Sequence, residues 1–146
     1  MGFTSSMRIS ASSLTAQRLR MDVVASNLAN VNTTRTPEGG PYKKREVIMS
    51  ASYAPSSEGG VIPVAGRSIA PVGVRVMGIA DRSQVRVVND PSHPDADADG
   101  NVLYPDIDLV QEMGNMISAV RAYEASVTAI NAAKSMAQKA LEIGRG

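Results

Sequence analysis

Residues 109–143 read LVQEMGNMISAVRAYEASVTAINAAKSMAQKALEI, and their periodicity decides the fold. Leu109, Met113, Met116, Val120, Tyr123, Val127, Ile130, Lys134, Ala137 and Leu141 fall at alternating spacings of four and three. That spacing keeps one row of side chains on a single face of an α-helix. A stripe of this length, about 50 Å at 1.5 Å per residue, is longer than a small globular core needs. Sustained four-three spacing is the signature of a coiled coil. Asp108, with Gln111 three residues on, is suited to start the helix, and Gly144 to end it. Ala119, Ala122, Ala125, Ala129, Ala132 and Ala133 flank the stripe and allow neighbouring helices to approach closely. Lys134 is its one charged member: it either snorkels past the seam or marks a wetter or acidic neighbour.

Working back from this helix, residues 89–105 carry three prolines, which forbid a continuous helix and read as a connector. Val72, Val74 and Val76 alternate with Gly73, Arg75 and Met77, the period of a strand. Val47 with Met49, Val61 with Ile62 and Val64, and Val85 with Val87 are weaker strand candidates. Gly and Pro punctuate these runs, and residues 52–70 are the least ordered part by composition. Residues 5–30 read as a second amphipathic helix, with Leu14, Met21 and Leu28 seven apart and Val24 and Ala25 between. Its serine-rich start, Ser10, Ser12 and Ser13, has weak helix propensity. The expected fold is α+β: long N- and C-terminal helices packed as an antiparallel coiled-coil-like pair, with a small β-containing middle module. The expected divisions are 1–34 (first helix and turn), 35–88 (β-containing module), 89–105 (connector) and 106–146 (long last helix).

Composition narrows the function. With one Phe and no Trp among 146 residues, the chain builds only a poor core, so partners are expected to contribute to its stability. The first helix is too short to cover the whole stripe. A formal charge of +1 argues against a polyanion-coating protein, and neither nucleic acid nor lipid insertion is expected. The absence of cysteine removes disulfides, thiol nucleophiles and thiolate metal sites. Neither a cleavable signal peptide nor a membrane-spanning run is visible.

The motifs that suggest chemistry have simpler readings. Asp95, Asp97, Asp99 and Gly100 match the opening of a calcium loop, but Asp106 stands where a bidentate Glu is required and prolines remove the entering helix. An Asp/Gly turn is the plainer assignment. His93 is the only histidine and sits between turn-formers, and no nucleophile elbow, P-loop or dinucleotide fingerprint occurs. No enzyme activity and no cofactor is expected. Lys43, Lys44 and Arg45 form the one basic cluster, either solvent-facing or a candidate outer contact.

These residues resemble those of a known family. Leu14, Thr15, Ala16, Gln17, Arg20 and Met21, then Val24, Ala25, Asn27, Leu28, Ala29 and Asn30, are similar to the N-terminal signature of bacterial flagellar basal-body rod proteins. Gly40 to Lys43, Arg45, Pro91, His93 to Ala96, Gly100, Val102 and Pro105 resemble the short proximal-rod members. Met113, Arg121, Tyr123, Ala125, Ala133, Lys134 and Met136 follow the C-terminal pattern, whereas Asp106-Ile107 departs from an expected Asn-Val.

The resemblance implies a structural subunit in the periplasmic part of the basal body, exported without a cleaved signal. It implies assembly with copies of itself and other rod proteins, contact with proximal ring and adaptor components, and transmission of motor torque to the distal rod. Leu14, Met21, Val24 and Leu28, with Leu109, Met113, Met116, Val120, Tyr123, Val127, Ile130 and Leu141, would form the assembly interface. Asn27 and Asn30 would fix the turn after the first helix. The alternative is an adaptor or export-associated module that docks one partner.

Overall fold

The computed structural model describes residues 3–55, 62–64 and 67–144, and of residues 3, 54–55, 62–64 and 67–71 the backbone alone. Helix α1 spans Phe3–Ala29 and helix α2 spans Leu109–Ile143. Between them lie β1 (Lys44–Pro55), β2 (Ile62–Val64), β3 (Arg67–Arg82), β4 (Val85–Asn89) and β5 (Asn101–Pro105). This is the expected α+β architecture.

The two helices pack antiparallel. Ser126 Oγ donates to Ser13 Oγ at 3.0 Å, and Asn27 Nδ2 donates to Glu112 Oε2 at 3.0 Å. The step from Ser13 up to Asn27 matches the step from Ser126 back to Glu112, so the register holds without a slip between those two points. Asp108 caps α2 by accepting from the Val110 and Gln111 amides, which satisfies two of the helix's unpaired donors. Gly144 closes it in a right-handed conformation, φ −76°, so the stop does not use glycine's left-handed freedom. In the same register, the far end of α2 reaches the first described turn of α1 near Met136. Beyond it, Leu141 and Ile143 in the last turns are exposed.

The middle of the chain is the expected small β-containing module, built from two sheets. β1 and β3 form a long antiparallel ribbon, to which β2 adds a short third strand. The alternating valines lie on β3, and Val47 and Met49 lie on β1. Val61 falls outside the described residues, as does part of the stretch read as least ordered. β4 and β5 make a separate two-stranded sheet. The expected connector 89–105 therefore ends in a strand. Val102 is fully buried and pairs with Val88, while the prolines are confined to the turns and the strand end.

Helix α1 crosses beneath the ribbon and is tied to it at Gly73. Ser12 Oγ donates to the Ile9 carbonyl at 2.7 Å and accepts the Val74 amide at 2.9 Å. A Cβ on Gly73 would collide with Ser12 Oγ, so the close approach of helix and strand requires glycine.

Candidate assembly site

Two rows of side chains run along α2, offset from one another. The row that meets α1 is Glu112, Met116, Ala119, Tyr123, Ser126, Ile130 and Ala133; Glu112, Ala119 and Ala133 are buried and the others half-buried. Its spacing is four and three, and its smallest members are what let the backbones come close. The apolar stripe read from the sequence shares Met116, Tyr123 and Ile130 with this seam. Its other members fall to one side. Leu109 is 49 % exposed, Met113 51 % and Val120 36 %, with Ile117 beside them at 53 % and Val127 half-buried.

The same offset occurs on α1. Ala16, Val23, Val24 and Asn27 are buried, whereas Leu14, Met21 and Leu28 are half-buried neighbours of the seam. The intrachain seam therefore uses small and polar residues, and a row of larger apolar residues on α2 remains uncovered. Leu109, Met113, Ile117 and Val120 thus form an exposed apolar surface along α2.

Behind this surface a buried polar cluster fixes how the two helices meet the ribbon. Asn27, 1 % exposed, has its whole side-chain amide engaged. Its Nδ2 donates to the Arg45 carbonyl at 2.8 Å and to Glu112, and its Oδ1 accepts from the Arg45 amide at 3.0 Å and the Tyr42 hydroxyl at 3.1 Å. Tyr42 also lies within hydrogen-bond distance of Ser26 Oγ, at 3.1 Å. Glu112 is equally buried and receives the Lys44 ammonium at 2.9 Å and the Asn115 amide at 3.2 Å. Three elements, α1, β1 and α2, thus close on one carboxylate and one amide, each with its partners in place.

Two of these residues have side-chain partners that the sequence does not reveal. The Asn27 side chain lies outside the turn after α1 and clamps that helix to β1 and α2. The Asn30 side chain holds the turn, donating to the Ser26 carbonyl at 2.9 Å and accepting from Thr33 Oγ1 at 3.1 Å, and the Asn27 carbonyl accepts the Asn30 amide at 3.3 Å. Lys44 turns its ammonium inward to the buried Glu112. Lys43 and Arg45 remain outside, with the Arg45 guanidinium over the Tyr42 ring and near Asp81. Glu112 was not singled out at all. Its only sequence signal is a charge in the first turn of a helix, which ordinarily reads as solvated.

The Asp-rich loop is built as a turn. Asp97 Oδ1 accepts the Asp99 and Asn101 amides at 3.0 and 2.8 Å, and Asp95 accepts from Thr34 Oγ1 at 2.8 Å. Gly100 has φ +77°, and a Cβ there would press on Pro91.

Burial by itself pushes the Glu112 carboxyl up, but hydrogen bonds from Asn27, Lys44 and Asn115 and the Lys44 charge together hold it below its ordinary value of 4.5. A lowered carboxylate contributes its stability in full above that ordinary value and loses it as pH falls through the lower, folded one. Denaturant unfolding across an acidic pH series is expected to show this loss in the wild type. In Glu112→Gln the same acid-dependent component should be absent.

The ends of the chain agree with this placement. A family model described as "Flagella basal body rod protein" matches residues 7–35, covering most of α1 and its turn. Another, "Flagellar basal body rod FlgEFG protein C-terminal", matches residues 98–143, which hold β5 and α2. The chain is 45 % identical to the flagellar basal-body rod protein FlgC of Borreliella burgdorferi, with all of both chains covered. It is 46 % identical to that of Bacillus subtilis over 96 % of this chain and 97 % of the relative. For Salmonella typhimurium the figures are 36 %, 94 % and 94 %. Since the matched blocks hold the two helices that pack together here, and the relatives align with it nearly end to end, the chain belongs to the FlgC family of bacterial flagellar basal-body rod proteins.

Proposed function

We propose that the chain is a non-catalytic building block of the proximal rod, which assembles through its terminal helices and passes motor torque to the distal rod. The observation that carries this reading is the uncovered row Leu109, Met113, Ile117 and Val120, which continues into the overhanging end of α2 at Leu141 and Ile143. A single chain leaves this apolar surface wet, whereas a lattice of helices buries it. Its neighbours are copies of the chain and other rod proteins, with proximal ring and adaptor components at the base and the export apparatus during assembly. The polar clamp suits a mechanical part, since it ties both helices and the ribbon into one body that moves together.

Removing residues 137–146 tests this. The deletion keeps the clamp, the ribbon and the seam from Glu112 to Ala133, and takes away the overhang with Leu141 and Ile143. A strain carrying only the shortened chain is expected to be non-motile and to lack complete rods. Normal motility with intact basal bodies would contradict the proposal.

A further inference from the structure

The outer edge of β1 is open in a way that edge strands usually are not. β1 lies at the edge of its sheet, in the order β1-β3-β2. From Val47 to Ala54 it carries no charge and no proline, the usual means of blocking an edge. Both irregularities of the ribbon put their extra residue, Met77 and Val72, on β3, so β1 itself runs unbroken.

Asn27 shows which backbone groups face outward. Arg45 turns both its amide and its carbonyl to the Asn27 side chain, away from β3, so the asparagine amide stands where a partner strand would stand. Strand alternation then turns the amides and carbonyls of Val47, Met49 and Ala51 outward as well. Val74, opposite Ala51, gives its amide to Ser12 on the far side of β3, as that alternation requires. Alongside this edge runs a groove of about 590 Å³, lined by Val23, Val24, Val47 and Met49 and by charged residues of both signs.

We propose that this edge accepts an extended strand, and that the strand is β4 of a second copy of the chain; the inference rests on the rod reading. β4 is suited to the part. Four of its five residues are exposed, it is paired only with β5, and Val85 and Val87 share one face without cover. Val85 and Val87 match the apolar lining of Val23, Val24, Val47 and Met49, while Arg86 points to the other face, over the Tyr104 ring. Pairing β1 of one copy with β4 of the next joins two different edges, so the contact repeats head to tail and builds a filament instead of closing into a pair. Backbone pairing supplies the affinity and the groove supplies the choice of strand.

Met49→Pro removes one outward amide and leaves the β1–β3 ladder intact. In a strain carrying this variant, complete rods are expected to fall about tenfold, the worth of one well-made hydrogen bond at an interface. If Met49→Pro assembles normally while Met113→Asp/Val120→Asp does not, strand pairing is overturned and the rod reading stands. If both assemble normally, both readings fail. Because the chain has no cysteine, Met49→Cys and Val87→Cys proteins provide a second readout that holds even where the proline variant unfolds. Oxidative cross-linking is expected only in their mixture. Cross-linking of Met49→Cys with itself, or none in the mixture, would overturn the pairing.

Discussion

Replacing Glu112 with Ala is expected to lower the stability of the isolated chain by about 3 kcal/mol, the low end for breaking a buried pair by removing one partner. In a chain of this size that corresponds to a fall in Tm of about 10 °C. The loss follows from what is left behind. Lys44, with 23 % of its side chain exposed, would keep an ammonium facing a cavity with no counter-charge, and one Asn27 donor would lose its acceptor. The figure sits at the low end because the lysine retains some access to water. Replacing both partners, Glu112→Leu with Lys44→Met, should cost much less than the single change, since no charge is then stranded. Thermal unfolding of the single and double variants checks this. Equal losses in the two would mean that packing, not the ion pair, holds the clamp.

The double change Met113→Asp/Val120→Asp has its effect on assembly instead. Both residues lie outside the seam with α1 and are at least one-third exposed, so the unfolding free energy of the monomer should change by only about 0.5 kcal/mol. In a helical lattice the same positions would have to bury two unpaired carboxylates. A penalty of about 4 kcal/mol per contact, roughly a thousandfold in affinity, is a conservative figure for that burial. Motility and rod formation should disappear, while circular dichroism of the purified variant stays like that of the wild type. As a structural rod subunit of the flagellar basal body, the chain is expected to show its defects as missing rods.

Much of this architecture was legible in the sequence because periodicity is a local property. The row from Leu109 to Leu141 is visible as a helix face from its spacing, and the alternating valines of β3 are visible as a strand. The face that meets α1 was legible only in part: Met116, Tyr123 and Ile130 belong to the stripe and Ala119 and Ala133 to its close-packing flank, but Glu112 and Ser126 are polar and binary patterning counts them as surface. The apolar stripe and the intrachain seam share only every second position, and hydrophobicity alone marks the larger residues. The role of Asn27 was hidden for a different reason. Its partners are a backbone unit eighteen residues away and a carboxylate eighty-five residues away, and no local pattern reports such contacts. Lys44 was drawn into a basic run by its neighbours Lys43 and Arg45, although strand alternation turns Lys44 and Arg45 to opposite sides. β5 was masked by the prolines around it. The Asp-rich segment was legible as a turn, because Asp and Gly at those spacings bond to their own backbone.

The most direct test of the account is a density map of the intact basal body at side-chain resolution. The row Leu109, Met113, Ile117 and Val120 is expected to lie against helices of neighbouring subunits, with the Asn27, Lys44 and Glu112 clamp intact inside each copy. A rod in which that row faces water along its length would contradict it.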